Sequence, residues 1–148
     1  METTAELTFR HATAQDWDRI STLLQSANLP LDGVREHLPH FVLALRGGEI
    51  VGCAGLERYA ETGLLRSVAV REAERGAGLG QELTRRVLDA ARESGLKQVV
   101  LLTETAREFF PKFGFAEISR ADVPAEALAS VEFQTACPES ATVMRVRL

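Results

Sequence analysis

After an apolar run that begins at Leu64, and ahead of a helix-forming run that reaches Leu88, the chain reads Arg75-Gly76-Ala77-Gly78-Leu79-Gly80. A glycine-rich loop that opens a helix presents unpaired backbone N–H groups and the positive end of the helix dipole, and glycine lets the backbone approach an anion closely. The chemistry it suits is the holding of phosphate. A nucleotide-binding P-loop would place Lys-Ser or Lys-Thr after its last glycine, whereas Gln81-Glu82 stands here. The spacing G-x-G-x-G also departs from the G-x-G-x-x-G of dinucleotide folds, and the further βαβ units that fingerprint belongs to are missing. The spacing of His11, His37 and His40 matches no triad or metal site, and Cys53 and Cys137 lack metal-ligand spacing, so no metal is expected.

The elements that must position this loop follow from periodicity. Leu7 and Phe9 alternate with polar neighbours as a first strand, and Thr13-Ala14-Gln15-Asp16 reads as a capping box before a helix carrying Ile20, Leu23, Leu24 and Ala27. Asn28, Pro30, Asp32 and Gly33 break the chain, and a short helical turn from Val34 to Leu38 precedes Pro39. Phe41 to Leu45 and Ile50 to Leu56 are strands joined by Arg46-Gly47-Gly48-Glu49, where Gly-Gly supplies the positive φ angles of a two-residue hairpin. A second hairpin, through Ala60-Glu61-Thr62-Gly63, leads to the strand that feeds the loop. The helix from Gly80 carries Leu83, Val87, Ala90 and Ala91 on one face and stops near Ser94-Gly95. Val99 to Leu102 is apolar on both faces, as in a strand covered on each side, and is expected to run parallel to the strand before the loop. Thr103 to Phe113 is expected to be a helix with Gly114 past its end, and Phe115 to Ile118 and Thr142 to Leu148 are the last strands.

At 148 residues and 45% hydrophobic content the chain suits one domain, 1–148, with a core that needs neither disulfide nor metal. A net charge of −4 excludes nucleic acid as the expected partner, because such binding needs a basic face. Positive charge nonetheless gathers around the loop at Arg66, Arg71, Arg75, Arg85 and Arg86, of which the last two read as a solvated helix face. Two cysteines without a disulfide pattern, no apolar leader and no run long enough to cross a bilayer point to the cytoplasm and to no membrane partner. A homodimer is the default among oligomers.

In its arginine, x, x, glycine, x, glycine turn, carried by Arg75, Gly78 and Gly80, the sequence resembles the GCN5-related N-acetyltransferase (GNAT) superfamily. Ala106-Arg107-Glu108-Phe109-Phe110-Pro111-Lys112-Phe113-Gly114-Phe115 looks like the helix and Gly-Phe segment that follow in that superfamily. The phrases Gly55-Leu56-Glu57-Arg58-Tyr59, Leu64 to Val70, Leu101 to Ala106 and Cys137-Pro138-Glu139-Ser140-Ala141 are further similar to a subgroup found with arsenic-resistance genes. The resemblance implies an α+β fold: a mixed, mostly antiparallel sheet whose fourth and fifth strands are parallel and splay apart, with helices on both faces. It implies acetyl-coenzyme A as cosubstrate and a small-molecule amine as acceptor, such as an anionic amino-acid analogue or an organoarsenical. The pyrophosphate would lie on Arg75, Gly76, Ala77, Gly78, Leu79, Gly80 and Gln81, and the thioester on the backbone of Val68, Ala69 and Val70, with Thr103 and Phe110 completing the cofactor site.

Three positions depart from the superfamily pattern. The tyrosine that often protonates the departing thiolate is replaced by Phe110, the asparagine at the start of that helix is absent, and the usual glutamate position falls near Leu64. Glu57 is then the candidate base, acting through water, and Tyr59 the candidate tyrosyl acid, against a solvated strand end and a packing aromatic. Strand alternation would place Arg66 on the face of Val68 and Val70, where it could clamp an acceptor carboxylate or form an internal ion pair with Glu57 or Glu104. Glu132 to Ser140 occupies the loop that lines the acceptor pocket in the superfamily, with Cys137 as a candidate acceptor contact or a packed thiol, while Cys53 reads as a small packed hydrophobe. The expectation is an acetyl-CoA-dependent N-acetyltransferase; a non-catalytic acyl-CoA sensor is the alternative.

Overall fold

A computed structural model describes residues 6–130, 133 and 140–148. Its strands are β1 (Leu7–His11), β2 (Phe41–Arg46), β3 (Glu49–Tyr59), β4 (Thr62–Val70), β5 (Gln98–Thr103), β6 (Ala116–Ile118) and β7 (Thr142–Arg147), with helices α1 (Trp17–Ser26) and α2 (Leu79–Glu93). They form a seven-stranded sheet in the order β1-β2-β3-β4-β5-β7-β6. β4 and β5 are parallel, whereas β1 with β2, β2 with β3, β5 with β7 and β6 with β7 are antiparallel. The chain divides into two compact units, Met1–Gly55 with Ser67–Val87 and Leu56–Arg66 with Leu88–Leu148.

The first unit is built around Ile20, Leu24, Val34, Phe41, Leu43 and Cys53, all at 5% exposure or less. Its hairpin closes as the dipeptide dictates: Arg46 pairs with Glu49, and Gly47 and Gly48 take φ of 60° and 82°. At the start of α1 the Asp16 carboxylate accepts from the Thr13 amide at 2.8 Å, so the expected capping residues meet, although a 3-10 turn, Ala14–Asp16, precedes the α-helix. The turn expected from Val34 to Leu38 is a 3-10 helix, Arg35–His40, which runs through Pro39. A 3-10 helix accepts proline near its end more readily than an α-helix because fewer residues precede the lost N–H.

The second unit gathers Leu64, Val100, Val123, Ala127 and Val143, with Tyr59, Leu102, Ile118 and Phe133 partly buried against them. Its hairpin turn is shorter than expected: β3 continues to Tyr59, β4 starts at Thr62, and Ala60 takes φ of 52° between them. The parallel ladder of β4 and β5 holds Thr62↔Gln98, Gly63↔Val99 and Leu64↔Val100, while Leu101, Leu102 and Thr103 continue along β7.

The helix expected from Thr103 to Phe113 is not formed. Thr103 ends β5, a turn follows, and only Phe110–Phe113 is helical, as one 3-10 turn ending at left-handed Gly114. Pro111 explains this, since in an α-helix it would leave the Arg107 carbonyl without a donor and press its ring against that oxygen. The bonds found instead span three residues, from the Phe109 amide to the Ala106 carbonyl at 3.0 Å and from the Gly114 amide to the Pro111 carbonyl at 3.0 Å.

Candidate active site

The glycine loop and the strand before it belong to the first unit. In β4 the alternation breaks at Ser67, which takes φ of 58°. Thr62 through Ser67 are all buried, and only beyond that residue does a half-buried, buried, half-buried sequence appear over Val68, Ala69 and Val70. A positive φ at a strand residue departs from the extended backbone that strict alternation of faces assumes. The Ser67 carbonyl accepts from the Cys53 thiol at 3.2 Å.

After β4 the Arg71 amide donates to the Val51 carbonyl at 2.8 Å, and Arg75 Nε donates back to the Val70 carbonyl at 3.0 Å. Gly76 and Gly78 take φ of 88° and 82°, and a Cβ at either would meet nothing within 4 Å. These glycines are thus required by backbone conformation, and the space on their side is open. Left-handed residues alternating with ordinary ones turn successive amides into one concavity, which suits an anion. Leu79 is buried and anchors the first turn of α2, whose Leu79, Gly80 and Gln81 amides precede the first helical acceptor bond, from the Glu82 amide to Gly78 at 3.1 Å.

Of the nearby arginines, Arg71 pairs with Glu49 and both Arg85 and Arg86 with Glu82, so those two do form a solvated helix face. Arg75 is exposed and makes no ion pair among the described residues. The amide concavity, the open space beside Gly76 and Gly78 and the exposed Arg75 guanidinium, anchored through Nε on the Val70 carbonyl, together fit a pyrophosphate.

A different arrangement occupies the second unit. Glu57 lies at 0% exposure, and its carboxylate collects three donors: Arg66 Nη1 at 2.6 Å, the Tyr59 hydroxyl at 2.5 Å and the Ser130 hydroxyl at 2.7 Å. The internal ion pair weighed for Arg66 is therefore present, with Glu57 as its partner and both side chains sealed from solvent. Burial pushes the Glu57 carboxyl up, but the hydrogen bonds from Tyr59, Arg66 and Ser130 outweigh it and hold the group below its ordinary value. Burial, reinforced by the bond to Glu57, pushes the Tyr59 phenol up to about 12. Glu57 is accordingly no solvated strand end, and Tyr59 is more than a packing aromatic. Near neutral pH the cluster holds a carboxylate, a guanidinium and an un-ionised phenol.

Thr103 and Phe110 also lie in this unit. The half-buried Thr103 hydroxyl accepts from the Ala106 amide at 2.9 Å, and Phe110 is buried edge-on between Phe109 and Phe115, with ring centroids 5.1 and 5.8 Å away. Cys137 lies outside the described residues, as does most of the Glu132 to Ser140 loop. Ser130 has no signal in its local sequence, and the thiol bond of Cys53 is hidden behind a plausible role as a packed hydrophobe. Among the described residues no group of three or more His, Cys, Asp or Glu could hold a metal, and no helix is long and apolar enough to cross a membrane.

A mixed sheet with one short parallel ladder, feeding a glycine turn and a helix N-terminus that fit a pyrophosphate, defines a coenzyme A-dependent acyltransferase fold. Solved structures share it. N-acetylglutamate synthase from Neisseria gonorrhoeae, complexed with coenzyme A and N-acetyl-glutamate, superposes with a TM-score of 0.82 at 22% identity, covering 99% of this chain and 36% of that one. Rv2747 from Mycobacterium tuberculosis, in complex with CoA and NLQ, gives a TM-score of 0.78 at 26% identity over 95% of this chain and 99% of that one.

Among curated proteins, the amino-acid acetyltransferase of Mycobacterium tuberculosis is 42% identical over 81 residues, 53% of this chain and 45% of that protein. That of Neisseria meningitidis is 28% identical over 129 residues, 81% of this chain and 30% of its own length. The chain thus spans less than half the length of these curated relatives. The family model described as Acetyltransferase (GNAT) family matches residues 5–115, and the chain belongs to that family.

Proposed function

We propose that the chain transfers the acetyl group of acetyl-coenzyme A to the primary amine of a small, anionic amino acid. The observation that carries the reading is the amide concavity of Gly76 to Gln81 beside the exposed Arg75, which makes no ion pair among the described residues and fits the cosubstrate's pyrophosphate. Acetyl-coenzyme A supplies a thioester, whose C–S bond breaks as the N–C bond to the amine forms, with one proton leaving the amine and one reaching the thiolate. Val68, Ala69 and Val70 offer backbone groups to the acyl end beyond left-handed Ser67, and Thr103 and Phe110 are the further residues proposed for the cosubstrate. The curated relatives are named amino-acid acetyltransferases, which supports the acceptor class.

Glu57, Tyr59 and Arg66 serve this reading as a positioning cluster on the acceptor side. A carboxylate held low by three donors is a weak base at neutral pH, and a phenol raised to about 12 is a weak acid. Holding amine and thioester together can supply on the order of 7–11 kcal/mol of the barrier without either. The absence of a hydroxyl at Phe110 favours a second reading, a non-catalytic acyl-coenzyme A sensor. The phrases shared with the arsenic-resistance subgroup add arsonic amino acids to the acceptors to be tried.

The test is calorimetry with acetyl-coenzyme A, followed by thiol release across amino acids, their phosphinic and arsonic analogues, polyamines and aminoglycosides. Binding with turnover on an anionic amino acid is expected. Binding without turnover on any acceptor would give the sensor reading, and failure to bind would overturn the pyrophosphate assignment.

A further inference from the structure

Ser67 is a buried residue in the left-handed region, in the middle of a strand. Serine has no intrinsic preference for that conformation, so it persists only where neighbouring groups hold it. A buried carbonyl or amide also needs a hydrogen-bond partner. Both groups meet one side chain. The Cys53 thiol donates to the Ser67 carbonyl across 3.2 Å, and the Ala69 amide donates to the same sulfur. Cys53 itself is at 0% exposure, and burial pushes its thiol up to about 12, so the S–H donor is retained at every physiological pH.

The preceding residue of β3 adds to this. A Cβ at Gly52 would lie 3.3 Å from the Ala69 carbonyl oxygen and 2.9 and 3.3 Å from methyl groups of Leu83 and Leu79. Two consecutive residues of β3 therefore set the Ser67–Ala69 segment and the seat of the first turns of α2: Gly52 by leaving room and Cys53 by hydrogen bonding.

We propose that Cys53 is a positioning residue for the acyl subsite, its thiol bracketing the left-handed segment from Ser67 to Ala69 and thereby aiming the Val68–Val70 backbone. The inference rests on the reading that this backbone meets the acyl thioester. A packed hydrophobe would do no more than fill space, and valine would serve equally in that role.

The test compares wild type, Cys53→Val, which fills the space without a donor, and Cys53→Ser, which keeps one. Calorimetry is run with coenzyme A and with acetyl-coenzyme A, because the free thiol reads the pyrophosphate cradle alone and the acetyl form adds the acyl subsite. Cys53→Val should weaken acetyl-coenzyme A about five- to tenfold, the worth of one hydrogen bond, with coenzyme A within twofold and Cys53→Ser close to wild type. Should Cys53→Val fold poorly, Ser67→Gly provides the second measurement, since glycine holds a positive φ without support. In that background Cys53→Ala should cost clearly less acetyl-coenzyme A affinity than it does alone. Equal losses in both backgrounds, or an unchanged affinity ratio in Cys53→Val, would overturn the role of Cys53 while leaving the cradle intact. A wild type that binds neither ligand would instead overturn the acyltransferase reading and this inference with it.

Discussion

Replacing Arg66 by leucine should invert the pH dependence of stability. Arg66 and Glu57 pair at 2.6 Å with side chains at 0% and 1% exposure, so removing the guanidinium leaves a sealed carboxylate without its counter-charge. Breaking such a pair on one side costs about 3–5 kcal/mol, and the remaining Tyr59 and Ser130 donors place the loss at the lower end. For a chain of this size each kcal/mol moves the melting temperature about 2–4 °C, so Arg66→Leu should melt roughly 6–12 °C below wild type at pH 7. The sign follows from linkage. In wild type the Glu57 carboxyl lies below its ordinary value, so its contribution is complete above the unfolded pKa of about 4.3 and fades only as the pH falls through the folded one.

In Arg66→Leu burial dominates and raises the folded value, so the folded state holds a proton that the unfolded state releases. Stability should then fall as the pH rises from 5 to 8, where wild type is insensitive to this group. Circular dichroism melts at unit pH steps read both the drop and the slope, and adding Glu57→Gln should flatten the slope again. An Arg66→Leu variant with wild-type melting temperature and a flat profile would refute the buried pair.

Gly78→Ala places a Cβ in open space but at φ of 82°, costing about 1–2 kcal/mol or re-aiming the loop; a Kd for coenzyme A raised about tenfold is expected by calorimetry, and an unchanged Kd would separate the concavity from pyrophosphate binding. Tyr59→Phe removes a donor to Glu57 and should lower stability by about 1.5–3 kcal/mol, while the pH profile of turnover keeps its shape and moves with the amine pKa of the acceptor supplied. Loss of the alkaline limb in that variant would restore Tyr59 as the acid.

What could be read in advance was local. Gly47-Gly48 states its turn in two residues, and the glycines of the loop before α2 mark a backbone that an anion can approach, with Gly76 and Gly78 found at positive φ. The failures needed information from elsewhere in the chain or a break in period. Thr103 to Phe113 has helical apolar spacing, and Pro111 near its end overrode it. A serine such as Ser67 gives no warning of a left-handed residue as a glycine would. Ser130 reaches Glu57 across 73 positions of sequence, a separation at which no pattern in one chain pairs them.

The buried cluster bears on how the proposed acetyl transfer would proceed without the usual tyrosine. For Glu57 to take a proton from an ammonium group, Arg66 would be left facing a neutral acid in a sealed site, which reverses the balance that lowers its carboxyl. For Tyr59 to protonate a thiolate, a phenol near 12 would have to give its proton to a thiol of ordinary pKa near 8.5, about 3.5 units uphill or roughly 5 kcal/mol. Each transfer opposes the interactions that fix the cluster. The same interactions make the cluster rigid: three side chains, Tyr59 of β3, Arg66 of β4 and Ser130, meet on the Glu57 carboxylate. Rigidity is what catalysis by positioning requires, so the features that disqualify Glu57 and Tyr59 as proton carriers suit them to hold an acceptor wall in place. On the proposed function the proton steps would then fall to solvent, and the pH dependence would belong to the acceptor amine.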